Sequence, residues 1–337
     1  MIMPKKPLII LSAAVLLAAG TWNFLLFSEK SNGQPYRLRV EKGQGISTVA
    51  RNLAANDTIY SRYVLLGTAY MLGIHDKLHN GSYKLPASVS SWQILQRLKD
   101  GRPDTVTIRI TEGSRLAQMR GVIDKSADLQ HETKDLSDSE LLKKVDPEAP
   151  SLDNPEGLFA PDSYEVDAGS SDLKLYQLAY RTQRKNLQAA WDERQSGLPY
   201  KNPYEMLTMA SIIEKETGNP EDRPNIASVF INRLNTGMRL QTDPSVIYGM
   251  GADYRGNIRK SDLQRDTPYN TYTRDGLTPT PISLPSKASL EAAAHPSSEK
   301  YLYFVAKMDG TGKSQFSHTL EEHNAAVRQY ILKKGGN

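Results

Sequence analysis

The most regular spacing of apolar and polar residues in the chain lies in the segment 202–218, and it predicts an amphipathic helix. Asn202 and Pro203 are typical of the first positions of a helix, and Gly218 and Pro220 are typical of the residues that end one. Between them the apolar residues recur every three or four positions and form one stripe, which we expect to face a core. The stripe comprises Met206, Met209, Ala210, Ile213 and Thr217.

Two carboxylates, Glu214 and Glu216, lie on opposite margins of this stripe, because successive residues of a helix are about 100° apart. A carboxyl at such a margin is half-buried, and partial desolvation raises its pKa toward the neutral range that a general acid needs. Periodicity does not distinguish the two residues. The alternative is that both are solvated side chains beside Lys215 on an ordinary helix.

A second helix is predicted to begin at Asp222 and Pro224 and to end at Gly237. Asp243 and Pro244 are then typical of the cap and the first position of a third helix. The loop between these two helices is crowded with polar side chains, namely Arg239, Gln241, Thr242 and Asp243.

After residue 251 the chain becomes polar and rich in proline, which indicates loops held by tertiary contacts. Within it, Asn270 and Tyr272 are suited to a sugar cleft, because amides and aromatic faces bind carbohydrate well. The alternative is a turn residue followed by a tyrosine of the core.

The first 35 residues predict a membrane anchor. Lys5 and Lys6 precede an uncharged apolar run, 7–28, of about the 20 residues that a helix needs to cross a bilayer. A cleavable signal peptide is the alternative, since small residues occur at 18–20, but the apolar run continues beyond them. The lysines place the short N-terminal side in the cytoplasm and the chain after Glu29 outside. Residues 29–35 are a polar linker.

The remaining chain predicts an α+β fold in two domains, a small one at 36–101 and a larger one at 102–337. In the small domain, strands are expected at 36–40 and 81–86, and helices at 46–53, 61–72 and 91–101. The larger domain is expected to contain a strand at 105–110, a long helix at 172–194 that packs against the Glu214 helix, a buried strand at 301–306 and a closing helix at 319–332. The buried positions of the long helix are expected to include Leu175, Leu178, Ala179 and Trp191.

Composition excludes several kinds of chemistry. The chain has no cysteine, which excludes thiol catalysis, disulfides and a lipoprotein anchor. A net charge of +4 over 337 residues is too small and scattered to predict nucleic-acid binding. His295, His318 and His323 form no His-x-x-x-His pair with an acidic partner, so we predict no metal site. Phosphate-binding and serine-nucleophile motifs are missing too, which leaves carboxylate chemistry or a non-catalytic role.

Three motifs carry a resemblance to a known family. Residues 214–217 (EKET), 227–234 (ASVFINRL) and 238–244 (MRLQTDP) closely resemble the YceG-like family of endolytic murein transglycosylases, also called the MltG family. The resemblance extends more loosely over nearly all of the chain outside the N-terminal anchor, including 156–164 and 270–272.

The resemblance implies a LysM-like subdomain at 36–101 and a YceG-like catalytic domain at 102–337. It also implies that Glu214 is the catalytic acid and base. No metal and no other cofactor is predicted. The expected substrate is peptidoglycan glycan strands, and peptidoglycan synthases (penicillin-binding proteins) are the expected partners. The expected location is the bacterial inner membrane, crossed once, with a periplasmic catalytic domain. Substrate binding is expected of Glu216, Arg239, Gln241, Thr242, Asp243, Asn270 and Tyr272.

Three functional hypotheses remain open from sequence. The first is a lytic transglycosylase, in which one carboxyl protonates the glycosidic oxygen and the muramic 6-hydroxyl closes a 1,6-anhydro ring. The second is a hydrolytic muramidase that uses Glu214 together with Asp243 or Glu216, since hydrolysis ordinarily needs two carboxylates. The third is a catalytically silent scaffold that binds the wall and positions synthesis enzymes.

Overall fold

The structure, a computed structural model, describes residues 5–41, 43–150 and 152–332, and the side chains of residues 5–11 lie outside this description. It is a mixed α/β protein with helices and small antiparallel sheets. The chain divides into two compact units. The smaller comprises Met1–Thr107, Ala127–Gln130 and Glu165–Ser171, and the larger comprises Ile108–Ser126, His131–Tyr164 and Asp172–Asn337.

In the smaller unit, three short helices enclose one side of an antiparallel strand pair, β2 with β3. Alternation along β2 places Leu38 and Val40 in the core, where they meet apolar residues of all three helices. The elements are α1 (Lys5–Phe27), β1 (Lys30–Ser31), β2 (Tyr36–Val40), α2 (Ile46–Ala55), α3 (Arg62–Met71), β3 (Gly81–Leu85), β4 (Ser88–Val89) and α4 (Ser91–Asp100).

The predicted membrane anchor coincides with α1. Among the residues that the structure describes, no helix is both long enough and apolar enough to cross a membrane. Leu26, near the end of α1, is buried in the core of the smaller unit, and the ring of Phe27 lies 5.4 Å from that of Trp92. The side chains at the start of the predicted anchor fall outside the described residues, and the anchor stays a prediction.

The larger unit contains the segment that the sequence singled out. Its elements, together with the strands that border it, are β5 (Thr105–Arg109), α5 (Leu116–Asp124), α6 (Asp138–Val145), β6 (Ser163–Asp167), α7 (Asp172–Asp192), α8 (Pro203–Glu216), α9 (Arg223–Asn235), α10 (Asp243–Met250), α11 (Lys260–Gln264), α12 (Lys287–Ala294), β7 (Tyr303–Ala306), β8 (Ser314–Ser317) and α13 (Leu320–Val327). A 3-10 turn at Gly251–Asp253 follows α10, and a π-helical turn at Arg328–Leu332 follows α13.

Helix α8 is the centre of the larger unit. It begins as predicted, with the Asn202 side chain accepting a hydrogen bond from the Glu205 amide at 3.0 Å. Every residue from Met206 to Ile213 is buried, because α7, α9, α10 and α12 pack around it. The predicted packing of the long helix α7 against α8 is therefore present. The last turn of α8, which carries Glu214 and Glu216, emerges from the core.

Several local predictions differ from the structure. Leu178 is 38% exposed, since the buried stripe of α7 runs along another side of the helix, through Tyr176, Ala179 and Gln183. The strand predicted at 301–306 is shorter and only half-buried, and its partner β8 was not predicted. Helix α10 begins at Asp243 and is preceded by Thr242, so Asp243 is its first residue and not its cap.

Candidate active site

A cavity of about 460 Å³ opens beside the last turn of α8, entirely within the larger unit. On one side of the cavity is the 239–243 loop, defined here as the end of the connection from α9 together with the first residue of α10, and on the other side are strand β7 and helix α13. Polar and aromatic side chains dominate its walls, a composition that suits a carbohydrate. It is lined by Glu216, Arg233, Leu240, Gln241, Asp243, Tyr272, Tyr303, Phe304, Val305, Ala306, Leu320 and His323.

Glu216 is the carboxyl that α8 contributes to this cavity, and it is half-buried there. One of its oxygens accepts a hydrogen bond from the Thr242 hydroxyl. Burial raises the pKa of Glu216 to about 7, and the neighbouring Asp243 raises it further, whereas the Thr242 hydroxyl and Arg233 lower it. A carboxyl with this pKa is present in both protonation states near neutral pH, so it can give a proton and later accept one.

Thr242 is buried and connects Glu216 to the loop around it. Its amide donates to the Thr271 hydroxyl at 3.0 Å, and its carbonyl accepts from the Ser245 hydroxyl at 2.7 Å. Because the Thr242 hydroxyl is bonded to Glu216, it does not cap α10. Thr242 therefore holds the carboxyl, which is a different role from the expected contact with sugar.

Gln241 lines the cavity in a strained backbone conformation. Its φ is +50°, in the left-handed region that residues with a side chain rarely occupy, and its amide donates to the Thr271 carbonyl at 3.2 Å. Such strain costs of order 1–3 kcal/mol and is concentrated at functional sites. The conformation leaves the Gln241 side chain exposed at the cavity wall, as expected for a residue that binds substrate.

Asp243 and Tyr272 are neighbours in the wall of the cavity. The Tyr272 hydroxyl donates to Asp243 Oδ1 at 2.6 Å, and burial together with this carboxylate raises the pKa of Tyr272. Arg239 lies outside the cavity lining. Its Nε pairs with Asp275 at 2.9 Å and its Nη1 donates to the Tyr272 carbonyl at 3.0 Å, so it supports the Tyr272 loop from the solvent side.

Asn270 is fully buried and does not line the cavity, in contrast to the expectation that it faces the sugar. Its amide nitrogen donates to the carbonyls of Asp262, Leu263 and Arg265, and its oxygen accepts from the Tyr272 amide at 2.9 Å. All of the groups it binds belong to the backbone. Asn270 therefore shapes the loop that presents Tyr272.

Glu214, the residue that the resemblance implies as the catalytic acid, is turned away from this cavity toward α12. Its Oε2 accepts three hydrogen bonds: from the Ser286 amide at 3.0 Å, the Ser286 hydroxyl at 2.5 Å and the Ser289 hydroxyl at 2.7 Å. Ser286 is the N-cap of α12, so a carboxylate lies at the positive end of that helix. This arrangement anchors α12 to α8.

Sequence reasoning gave no separate role to Glu156, a second carboxyl with a displaced pKa. It is 4% exposed, accepts a hydrogen bond from the Leu116 amide at 2.8 Å and another from the Tyr248 hydroxyl at 3.3 Å. Burial raises its pKa to about 7 against the lowering effect of these two bonds and of Arg115. Glu156 caps the start of α5 from a distant part of the chain, a contact that no local pattern could predict.

One group of metal-ligand residue types occurs among the described residues, away from the cavity. Ligand atoms of Asp124, His131 and Asp172 lie within 4.8 Å of one another. Asp172 is fully buried at the start of α7, where it accepts hydrogen bonds from the amides of Glu132 and Thr133 and from the Thr133 hydroxyl. Through these hydrogen bonds, Asp172 fixes the position of the loop at residues 131–133.

A half-buried carboxyl with a pKa near neutrality, in a polar and aromatic cavity, suits general acid catalysis on a glycan. The model of the YceG-like family matches residues 38–329, and the chain belongs to that family. The resemblance seen in the sequence motifs is thereby confirmed.

Relatives agree with this membership. The chain is 32% identical over 325 residues to a Bacillus subtilis protein named endolytic murein transglycosylase, covering 91% of this chain and 88% of that one. It is 29% identical over 289 residues to a Streptococcus pneumoniae protein of the same name, of which it spans about half (51%). A crystal structure of a yceG-like protein from Listeria monocytogenes matches with a TM-score of 0.53 and 31% identity, over 87% of this chain and 99% of that one.

Proposed function

We propose that this chain is an endolytic lytic transglycosylase that cuts the bond between N-acetylmuramic acid and N-acetylglucosamine within peptidoglycan strands. The names of the curated relatives support the reaction class and the substrate. The observation that carries the chemistry is the carboxyl of Glu216, whose pKa of about 7 and position in the 460 Å³ cavity suit a residue that acts as acid and then as base.

The proposed reaction needs only one carboxyl. Protonated Glu216 gives its proton to the glycosidic oxygen as the bond from C1 of the muramic residue to that oxygen breaks, and the leaving sugar departs with a free hydroxyl. The resulting carboxylate takes the proton of the muramic 6-hydroxyl while O6 bonds to C1. Glu216 is protonated again, and the product ends in a 1,6-anhydro ring, with no water consumed.

The remaining side chains of the cavity have supporting roles in this proposal. The Thr242 hydroxyl orients the Glu216 carboxyl, and it stabilises the charged form after the proton has left. Gln241, Asp243 and Tyr272 face the cavity and bind the sugar, whereas Asn270 and Arg239 hold the loop that carries Tyr272. Glu214 is assigned to the anchoring of α12.

A hydrolytic muramidase is the second candidate, because Asp243 places another carboxyl in the same cavity. The two reactions leave different ends. Mass spectrometry of purified strands after digestion should find 1,6-anhydro ends, which are lighter than reducing ends by one water. Reducing ends alone would replace the proposed lytic reaction by hydrolysis, and intact strands would favour a non-catalytic scaffold.

We also propose where the protein is located in the cell and what roles its N-terminal parts have. Residues 7–28 are the single span of an anchor in the bacterial inner membrane, with Lys5 and Lys6 in the cytoplasm and the catalytic unit in the periplasm. The unit around 36–101 is LysM-like, and peptidoglycan synthases are the partners. The apolar run at 7–28 supports the anchor, and strand cleavage inside the wall requires the catalytic unit to be outside the cytoplasm.

A further inference from the structure

Four consecutive residues of β7, from Tyr303 to Ala306, line the same cavity as Glu216. Successive side chains of a strand point to opposite faces of its sheet, so one face can contribute only every second residue. A cavity that touches all four must lie along the edge of the strand. Strand β7 pairs with β8 on its other side. The cavity therefore borders the open edge of this two-stranded sheet.

The register shows which backbone groups point toward that edge. The Lys307 amide donates to the Lys313 carbonyl at 2.9 Å, and β7 pairs with β8 in an antiparallel register that opposes Val305 to Gln315. In an antiparallel pair, residues alternate between pointing their N–H and C=O groups at the partner and away from it. Val305 points toward β8, like Lys307. Phe304 and Ala306 consequently direct both backbone groups away from β8.

Contacts of Arg233 place this edge beside the cavity. Its Nε donates to the carbonyl of Leu302, just before β7, at 2.7 Å, and its Nη1 donates to the Leu240 carbonyl at 2.7 Å. The guanidinium thus spans from the 239–243 loop to the start of β7. It occupies the Leu302 carbonyl, while no hydrogen bond to a side chain or loop of the described chain uses the outward groups of Phe304 or Ala306.

We propose that the open edge of β7 binds the stem peptide of the glycan strand as an added, extended strand. This rests on the proposed function, because murein carries peptides on its muramic residues. Two outward residues about 6.8 Å apart offer donor and acceptor groups at the spacing of an extended peptide, which repeats every second residue. A single acetamido group of a sugar would engage only one of them. The edge would thus recognise the peptide beside the bond that Glu216 cuts.

The test removes one backbone N–H that points away from β8 and compares two substrates. Ala306→Pro removes an N–H that points away from β8, at a type of edge position where proline keeps the ladder intact. Ala306→Ser is the matched control, since it keeps the amide. On strands that carry peptides, Ala306→Pro should lower kcat/KM by about two- to tenfold, the effect of one hydrogen bond. Because Ala306 lines the cavity, the decisive quantity is the ratio of kcat/KM on peptide-bearing strands to kcat/KM on strands stripped of peptides by an amidase. This ratio should fall by the same two- to tenfold factor in Ala306→Pro and stay at the wild-type value in Ala306→Ser.

Three other outcomes would contradict peptide binding at the edge of β7. An equal loss on both substrates, with an unchanged melting temperature, would assign the amide to a sugar acetamido group. No loss on either substrate would remove the edge from recognition. If Ala306→Pro does not fold, the wild-type protein decides, because equal kcat/KM on peptide-bearing and stripped strands overturns the proposal.

The edge site can be tested even if the wild-type protein does not cleave glycan strands. If the wild-type protein cleaves neither substrate, binding of peptide-bearing and stripped strands can still be compared by co-sedimentation. A preference for peptide-bearing strands that Ala306→Pro removes and Ala306→Ser keeps would support the edge site without any cleavage. Equal binding of both strands would overturn it.

Discussion

Glu214 and Glu216 are two residues apart on one helix and have different surroundings. Glu214 accepts three hydrogen bonds from the start of α12, whereas Glu216 has one hydroxyl partner and faces a cavity. The sequence placed both on the margins of the apolar stripe and could not separate them, because the separating groups come from residues 242 and 286–289. The resemblance implied Glu214, and the surroundings favour Glu216.

Thr242 offers a way to tune the proposed acid without removing it. Because its hydroxyl lowers the pKa of Glu216, Thr242→Val should raise that pKa and move the alkaline fall in kcat/KM to higher pH. Thr242→Ser keeps the hydroxyl and should leave the profile in place. Measured pH profiles of the three proteins check this, and a Val variant whose alkaline limb does not move would contradict the assigned hydrogen bond.

The raised pKa of Glu216 also has a consequence for stability. Between its unfolded pKa of about 4.5 and its folded pKa of about 7, the folded protein binds a proton that the unfolded chain does not. Stability from this group is therefore complete at low pH and is lost as pH rises through about 7. Glu216→Gln should stabilise the protein at pH 8, on the order of 1–3 kcal/mol, and should have little effect at pH 4.

Thermal unfolding at both pH values measures this difference. Glu156 also has a pKa raised to about 7 by burial, but it is present in both proteins and cancels in the comparison. A Gln variant that is less stable than the wild type at pH 8 would contradict the burial of Glu216.

At the scale of elements, Glu214 is expected to fasten α12 to α8. Glu214→Ala would leave the Ser286 amide and two serine hydroxyls without their acceptor, which costs about 1–3 kcal/mol for buried groups. Glu291→Ala is the matched control, since Glu291 is exposed on the same helix and only pairs with Lys287 at 3.4 Å. Urea unfolding should show a loss for the first variant and almost none for the second.

The elements themselves were largely predictable from periodicity and caps. The cap of α8 at Asn202, the helices of the smaller unit and the long helix α7 agree with the sequence pattern. The sequence pattern could not predict contacts between residues that lie far apart in the chain. Strand β8, the Glu156 contact with α5, and the use of the Thr242 hydroxyl by Glu216 all depend on such contacts.

At the scale of the whole molecule, the proposed anchor governs where the enzyme can act. If residues 7–28 cross the membrane, the full chain should stay in the membrane pellet after alkaline carbonate extraction, because an apolar span resists a treatment that strips peripheral proteins. A chain that begins at residue 29 should be soluble. Full-length protein in the carbonate supernatant, or a mature N-terminus near Thr21, would contradict the anchor.

If Glu216 carries the proton in strand cleavage, its amide variant should lose activity and that of Glu214 should not. Glu216→Gln and Glu214→Gln are both nearly isosteric, and each should be assayed on purified glycan strands with its melting temperature measured in parallel. We expect Glu216→Gln to lower the rate of formation of 1,6-anhydro ends by about 10²- to 10⁴-fold while strand binding persists. Folded molecules of the Glu214→Gln variant should retain most of the wild-type activity. Full activity in a folded Glu216→Gln variant, together with loss in Glu214→Gln, would show that Glu214 and not Glu216 carries the proton.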